Sequence, residues 1–170
     1  VYASESRTMA GIAGTLRRLG ALTGGAALAE ARAAAFEQQV AALRRQYAGR
    51  ATLRVFYQIW PQPLMTVNGQ HLISEALGLC GARNLFADLA PLTPIVTLEA
   101  VAALDPDAIV SGSVAAGAAA DLAAWQRLGS LRAVREQRLL VVDPDRLHRQ
   151  SGRVVDGARE LCERLDTLRR

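Results

Sequence analysis

The chain has 170 residues, of which 51% are apolar and 21% are charged. This length suits one globular domain with a substantial core, and the composition excludes a disordered chain. No apolar run is long enough to span a bilayer. The net charge is +4, but every basic residue is an arginine and the arginines are scattered over separate predicted helices, so the pattern does not favour nucleic-acid binding.

Two helices are predicted before any strand. Apolar residues recur every three or four positions from Ser4 to Leu19, which predicts a helix that is capped by Ser4 or Ser6 and broken by Gly20 and Thr23-Gly24-Gly25. The same spacing predicts a second, longer helix at Ala26–Ala48. At 1.5 Å per residue this helix is about 35 Å long, which exceeds one layer of a small domain.

Strands and helices alternate from Ala51 onward. The predicted strands are Leu53–Gln58, Ala108–Ser111 and Leu139–Val142. The predicted helices are Gln70–Leu79, Thr97–Leu104, Ala118–Leu128 and Gly152 to about Leu168. Gly112 to Ala120 is a run of small residues that predicts a flexible connection. This alternation is typical of an α/β fold with a parallel sheet flanked by helices and with right-handed crossovers.

The loop from Ile59 to Gly69 carries the strongest functional signal. Trp60 stands beside prolines just beyond the carboxyl end of a predicted strand. Open α/β sheets bind ligands at that edge, so we predict that the indole faces outward and forms a wall of a ligand site. The alternative is that Trp60 folds back into the core of its own domain.

A second loop, Asp143 to Arg153, follows the last predicted strand and should reach the same edge. It carries Arg146 and Arg149. Guanidinium groups suit carboxylates, phosphates and amide-rich ligands. The alternative is a solvated connection in which one arginine holds the loop.

Catalytic motifs are absent. The sequence has no P-loop, GxSxG or GxGxxG, and neither His71 nor His148 has a carboxylate pair at metal-ligand spacing. We interpret both histidines as surface or capping residues. An enzyme that used His148 with Asp143 or Asp145 would need a nucleophile or a metal site that the sequence does not show. We therefore predict a protein that is not an enzyme and has no resident cofactor or metal.

The two cysteines, Cys80 and Cys162, lie on the apolar stripes of predicted helices. Neither belongs to a CxxC pair or has a nearby histidine, which excludes a standard zinc site. Two readings stay open: a pair of buried thiols, or a disulfide that joins two helices. The disulfide requires an oxidising compartment.

Four blocks of the sequence together resemble a known family. They are VFYQIWPQPLMTVNGQHLISEALGLCGARNLFADL, PIVTLEAVAALDPDAIV, W-x-x-L-x-x-L-x-A-V-R and VVDPDRLHRQSGRVVDGARELCERL. In this order they resemble the C-terminal lobe of a cobalamin-type periplasmic solute-binding protein of an ABC importer. That class, built on a helical backbone, also includes siderophore and haem binders.

The resemblance implies two α/β lobes joined by one long helix, with the ligand clamped between them. Residues 1–25 would be the end of the N-terminal lobe and its last helix, and residues 26–48 the inter-lobe helix. Residues 49–170 would form a single Rossmann-like, ligand-binding C-terminal lobe. The chain would thus lack most of the N-terminal lobe. We expect a periplasmic protein that does not span the membrane, and self-association through an apolar patch that the absent lobe leaves along the long helix.

The resemblance also assigns roles to residues. Glu99 would dock on arginines of the importer permease, and Cys80 would be bridged to Cys162. Thr93 stands where the cobalamin branch has an aromatic residue, and Trp60 would supply the apolar platform instead. The implied ligand-binding residues are Tyr57, Trp60, Pro61, Met65, Leu92, Thr93, Arg146 and Arg149.

The implied function is capture of cobalamin, or of a similar large metal chelate, and its delivery to an ABC importer. One alternative is a siderophore- or haem-binding protein of the same class. Another is a non-transport α/β interaction domain that uses the long helix as its contact surface.

Overall fold

The computed structural model describes residues 6–112 and 118–170, except for the side chains of 118–121. Most of the predicted connection after Gly112 lies outside this range. The helices are α1 Met9–Leu22, α2 Ala26–Tyr47, α3 Leu72–Leu79, α4 Leu98–Leu104, α5 Ala118–Gln126, α6 Arg132–Arg135, α7 Pro144–Leu147 and α8 Val154–Thr167. The strands are β1 Leu53–Gln58, β2 Ala82–Asn84, β3 Ala108–Ser111 and β4 Leu139–Val141.

The four strands form one parallel sheet in the order β2-β1-β3-β4. Val55 of β1 pairs with Asn84 on one side and with Ala108 on the other, and Ile109 of β3 pairs with Leu139. The predicted α/β class with a parallel sheet is confirmed. The sequence missed β2, which is only three residues long and ends the sheet.

Alternating residues of β1 pack into two separate hydrophobic cores, one on each face of the sheet. Val55 and Tyr57 point into the core under α1, α2, α3 and α8. Phe56 points to the opposite face, where its ring packs edge-on against Phe86 at 5.6 Å and Trp125 at 5.3 Å between ring centroids. Both faces of the sheet are therefore covered, as expected for a buried parallel sheet.

The first helix begins later than predicted. Its cap is Thr8, whose hydroxyl accepts a hydrogen bond from the backbone N–H of Gly11 at 3.0 Å. Ser6 instead lies buried, with its hydroxyl 3.0 Å from that of Thr15. The prediction that Ser4 or Ser6 caps the helix is wrong for Ser6, and Ser4 lies outside the described residues.

The first helix also continues past Gly20, which was wrongly predicted to end it. Gly20 is buried inside α1, and a Cβ at this position would overlap with the Cβ of Ala29 on α2. The glycine therefore permits two antiparallel helices to approach closely. Gly24, with a φ of 75°, makes the turn between them.

Cys80 and Cys162 form a disulfide with a Cα–Cα distance of 4.6 Å. The bridge joins the end of α3 to α8, and both residues are fully buried. The disulfide implied by the family resemblance is confirmed. No helix in the described part of the chain combines the length and apolar character needed to cross a membrane.

Candidate ligand-binding site

The carboxyl ends of all four strands meet at one edge of the sheet because the strands are parallel. The Trp60 loop follows β1 at this edge, and α7 follows β4. Ligands of open α/β sheets bind at such an edge. The predicted site residues that follow β1 and β4 therefore lie where a ligand site is expected.

Trp60 lies on the surface, in a tight loop. The N–H of Ile59 donates to the carbonyl of Met65 at 3.0 Å, and the N–H of Met65 donates to the carbonyl of Trp60 at 2.9 Å. The indole is 39% exposed, and its N–H donates to the carbonyl of Gln62 at 2.8 Å. This geometry excludes the alternative in which Trp60 folds into the core, a place that Trp125 takes instead.

The Trp60 loop is paired with the segment that carries Leu92 and Thr93. The N–H of Thr66 donates to the carbonyl of Pro94 at 3.0 Å, and the N–H of Asn68 donates to the carbonyl of Leu92 at 2.9 Å. The two segments are therefore joined by backbone hydrogen bonds into one unit. Leu92 is half-buried and Thr93 is exposed, so this pairing brings two further predicted ligand-binding residues beside the loop.

Two buried asparagines that the sequence analysis did not single out hold this unit on the sheet. The side-chain amide of Asn68 donates to the carbonyl of Leu89 at 3.0 Å. That of Asn84, at the end of β2, donates to the carbonyl of Val67 at 2.7 Å and to the hydroxyl of Ser74 at 2.8 Å. The sequence signal was weak, because asparagine after a strand reads most simply as a turn residue.

Tyr57 lies behind the loops rather than on the surface. Its side chain is fully buried, and its hydroxyl is 2.9 Å from Nε2 of His148. Burial raises the pKa of the Tyr57 phenol, which therefore stays protonated. A Cβ on Gly112 would overlap with that hydroxyl, so glycine is required there for the close approach. The role of Tyr57 as a ligand-binding residue stays a prediction. What the structure shows is its contact with His148 at the end of α7.

The two histidines differ in their roles. His71 is the N-cap of α3, and its Nδ1 accepts a hydrogen bond from the N–H of Ile73 at 3.1 Å, which confirms the capping interpretation. His148 lies at the C-terminal end of α7 and is half-buried. Burial lowers the pKa of His148 to about 4, with a smaller contribution from nearby His71, and Asp143 and Asp145 oppose that change. Within the described residues, no three His, Cys, Asp or Glu side chains are placed to hold a metal ion.

Arg146 and Arg149 are exposed and already paired with acids. A guanidinium nitrogen of Arg149 lies 2.8 Å from Asp145, and Arg146 lies 3.5 Å from Asp143. Both line an open groove of about 800 Å³ between α7 and α8 whose other walls are also charged. No residue of the Trp60 loop lines this groove, so the structure places the two loops at one edge without joining them in one concavity. The groove is lined by Asp143, Asp145, Arg146, Arg149, Arg153, Asp156, Arg159, Glu160 and Glu163.

Glu99 lies exposed in the first turn of α4. Hydrogen bonds from its own backbone N–H and from the Thr97 hydroxyl lower the pKa of its carboxyl group. The salt bridges of the described residues do not include Glu99, which leaves its charge without an ionic partner there. Two large apolar side chains precede it in the sequence, Ile95 at 66% exposure and Leu98 at 47%.

Proteins with known functions resemble this chain over nearly its whole length. The vitamin B12-binding protein of Vibrio cholerae is 30% identical over 162 residues, which cover 95% of this chain and 58% of that protein. The crystal structure of the periplasmic vitamin B12-binding protein of Vibrio cholerae has a TM-score of 0.86 at 30% identity, and the match covers 98% of this chain and 65% of that one. The chain is homologous to the vitamin B12-binding proteins.

The family resemblance seen in the sequence is thereby confirmed. A periplasmic haem-binding protein from Pseudomonas aeruginosa is also similar, with a TM-score of 0.77 and 27% identity over 91% of this chain and 58% of that one. No family model matches the chain. The chain spans about three fifths of the length of the curated relatives it matches, so the ligand and the partners of such whole proteins are proposals for this chain.

Proposed function

We propose that this chain is the C-terminal part of a periplasmic substrate-binding protein that captures cobalamin or a similar large metal chelate and delivers it to an ABC importer. The observation that carries the proposal is the Trp60 indole, which is 39% exposed at the carboxyl edge of a parallel sheet. The homologous vitamin B12-binding proteins support it.

The proposed binding energy comes chiefly from apolar burial. Trp60, Pro61 and Met65 offer a surface against which a flat ligand would lie. Each 100 Å² of apolar surface removed from water contributes about 2.5 kcal/mol. Because the second lobe would supply the other half of the contacts, we expect this lobe alone to bind weakly.

Polar groups at the ligand edge would be met by Arg149 or by backbone amides. Arg149 is paired with Asp145, but both side chains are more than two thirds exposed. Exposed ion pairs contribute about 1 kcal/mol or less, so a ligand carboxylate or amide can replace Asp145 at little cost.

The delivery step would use Glu99. Its carboxylate has no ionic partner among the described residues, and two exposed apolar side chains, Ile95 and Leu98, precede it in the sequence. An arginine of the importer permease would complete that pair. The disulfide supports a periplasmic location, because such bonds persist in oxidising compartments.

We further propose that the chain is not an enzyme. Nε2 of His148, the candidate catalytic base, contacts the buried Tyr57 hydroxyl instead of Asp143 or Asp145. The homologues are named as vitamin B12-binding proteins, not as enzymes. Self-association also stays a prediction, and the structure suggests where to test it: Leu22 and Leu28, at the turn between α1 and α2, are 68% and 66% exposed.

The second candidate is a haem- or siderophore-binding protein of the same class. Thr93 is exposed beside the Trp60 loop, at the position where the cobalamin branch has an aromatic residue. This chain would therefore lack that aromatic surface. The similarity to the haem-binding protein of Pseudomonas aeruginosa supports this candidate.

Isothermal titration of the protein with cobalamin, haem and ferric siderophores tests the proposal. We expect one of these ligands to bind, and Trp60→Ala to weaken that binding at least tenfold because the apolar platform is lost. Leu28→Ala, which removes a more exposed apolar side chain at the α1–α2 turn, serves as the control and should leave the affinity unchanged. Equal affinities for the wild type and Trp60→Ala, or no binding of any chelate, would contradict the proposal.

A further inference from the structure

A continuous hydrogen-bond network lies behind the two segments of the candidate site. It consists of Asn84 at the end of β2, Ser74 in α3 and Asn68 near the end of the Trp60 loop. The side-chain amide of Asn84 donates to the Ser74 hydroxyl at 2.8 Å, and that hydroxyl donates to the carbonyl of Asn68 at 2.6 Å. Ser74 therefore joins the two buried asparagines into one Asn84–Ser74–Asn68 network.

The network also reaches the segment that carries Leu92. The side-chain amide of Asn68 donates to the carbonyls of Leu89 at 3.0 Å and Ala90 at 3.3 Å. Its backbone N–H donates to the carbonyl of Leu92 at 2.9 Å. Both segments of the proposed ligand wall are thus connected through Asn68 and Ser74 to Asn84, which belongs to the sheet.

Every polar atom of the Asn84 side chain has a partner. Its nitrogen donates to the carbonyl of Val67 at 2.7 Å and to Ser74, and its oxygen accepts the N–H of Phe86 at 3.0 Å. These partners fix which side of the amide is nitrogen and which is oxygen. A carboxylate of the same shape would keep the bond to Phe86 but has no N–H for the other two bonds.

Few side chains attach the Trp60 loop to the rest of the fold. Among the described residues, the side-chain hydrogen bonds that reach this loop from the sheet and from α3 are those of Asn84 to Val67 and of Ser74 to Asn68. The hydroxyl of Thr66 is fully buried in the same loop and has no hydrogen-bond partner in the described part of the chain. The position of the loop on the sheet therefore depends on Asn84 and Ser74.

We infer that Asn84 is the residue that positions the ligand wall. At 4% exposure it lies out of reach of a ligand, so it acts through the Trp60 loop and the segment that carries Leu92 and Thr93. A site loses affinity when its supporting hydrogen bonds let the contacting residues shift. The inference deepens the proposed function, and the part of it that concerns ligand affinity rests on that function. It concerns the apolar platform, so it applies to cobalamin and to haem alike.

Asn84→Asp tests the inference with a side chain of the same shape. The carboxylate still accepts the N–H of Phe86, but it repels the carbonyl of Val67 and accepts the Ser74 hydroxyl, which then no longer donates to Asn68. Both attachments of the loop are lost. Ser74→Ala removes only the attachment to Asn68, whereas Ser74→Thr keeps a hydroxyl and should behave as the wild type.

Asp107→Asn is the matched control for the loss of buried polar contacts. Asp107 is 7% exposed at the amino edge of the sheet, where it accepts the backbone N–H of Arg54 at 2.7 Å and a guanidinium N–H of Arg132 at 2.7 Å. The variant also keeps its shape and weakens a buried network, but at the end of the strands opposite the Trp60 loop. It should act on the whole fold and not on the loop in particular.

Amide hydrogen exchange followed by NMR separates local from global effects. We expect Asn84→Asp to accelerate exchange at the loop amides of Thr66 and Asn68 about tenfold more than at Ile109 in β3, and Ser74→Ala to do so about fivefold. The control variant should accelerate all three amides by the same factor. Equal acceleration of the loop amides and Ile109 in Asn84→Asp or in Ser74→Ala would overturn the positioning role. If Asn84→Asp does not fold, Ser74→Ala alone decides.

Titration with cyanocobalamin and with haem tests the consequence for binding. For a chelate that binds, we expect Asn84→Asp to weaken the affinity about fivefold or more, and Asp107→Asn to leave it unchanged. Equal affinities of the wild type and Asn84→Asp, or a loss of equal size in Asp107→Asn, would overturn the role of Asn84 in binding. If exchange of the loop amides rises as expected but no chelate binds, the positioning of the loop by Asn84 stands and the proposed function fails.

Discussion

At the scale of single residues, the contact between Tyr57 and His148 fixes the inner side of the candidate site. These residues are 91 positions apart in the chain, and their side chains meet at 2.9 Å. The contact secures α7, and with it the loop that carries Arg146 and Arg149, to strand β1. Sequence reasoning could not find it, because a tyrosine in a strand and a histidine in a loop carry no signal of mutual contact.

The lowered pKa of His148 predicts that the stability of the protein depends on pH. In the unfolded chain this imidazole takes up a proton near pH 6.5, whereas in the fold it stays neutral to about pH 4. The unfolded state therefore binds more protons between these values. The contribution of His148 to the free energy of unfolding should be fully present above pH 6.5. It should be lost, by up to about 3 kcal/mol, as the pH is lowered to 4. His71, whose pKa is also lowered, acts in the same direction.

Urea denaturation at pH 7 and at pH 5 measures this effect. The window stays above the range in which the acids with lowered pKa values titrate, such as Glu30, Glu37 and Glu99. His148→Gln retains a partner for Tyr57 but cannot titrate, so its stability should fall less than that of the wild type. A wild-type free energy of unfolding that is the same at both pH values would show that His148 accepts its proton in the fold.

At the scale of elements, the close approach of α1 and α2 predicts the effect of one methyl group. A Cβ at Gly20 would overlap with Ala29, so Gly20→Ala must push the helices apart. Overpacking of this kind costs about 1–3 kcal/mol. Gly78→Ala is the matched control, because Gly78 lies in α3 with nothing within 4 Å of an added Cβ, and it should be neutral or stabilising by up to about 1 kcal/mol.

Thermal and urea unfolding of these two variants give the comparison. If Gly20→Ala were as stable as Gly78→Ala, the helices would have to be farther apart than in the structure. The ion pairs of Arg17 with Glu30 and Glu37 link the same two helices at 2.8 and 2.6 Å, but they are exposed and would not resist such a separation.

Most of the elements that the sequence predicted carry either a helical apolar period or a run of apolar residues, as in β4, which has only three residues. α2, β1, β3 and α8 were placed within two residues at either end. The missed elements are short: β2 has three residues, and α6 and α7 have four each. These missed elements are stabilised by contacts with neighbouring elements, and their own sequences carry no apolar pattern that would predict them. Gly20 was misread for a related reason, since its use depends on Ala29, nine positions away.

The candidate site shows the same division. The exposure of Trp60 was predicted, because a strand end followed by an aromatic residue among prolines is a local pattern. The pairing of the Trp60 loop with the segment that carries Leu92 and the contact between Tyr57 and His148 were not predicted. Both depend on contacts between distant segments, which a single sequence does not encode in any local signal.

At the scale of the whole molecule, the disulfide ties together the face of the sheet that carries the larger core. α3 and α8 are 82 positions apart at the bridged residues, and both pack on the core that includes Tyr57. Because α3 follows the Trp60 loop and α8 follows the α7 loop, the bridge joins the helices that come directly after the two loops of the candidate site. It should therefore stabilise the fold and the candidate site together.

The expected size of that stabilisation follows from the chain that the bridge closes. A closed loop of 82 residues loses enough freedom in the unfolded state to stabilise the fold by about 4.5 kcal/mol. The variant with Cys80→Ala and Cys162→Ala should lose that amount in urea unfolding. Dithiothreitol should lower the stability of the wild type by a similar amount and leave the double variant unchanged, which separates loss of the bridge from the small change in packing. Two reactive thiols in the unreduced, denatured wild type would show instead that the cysteines are not joined.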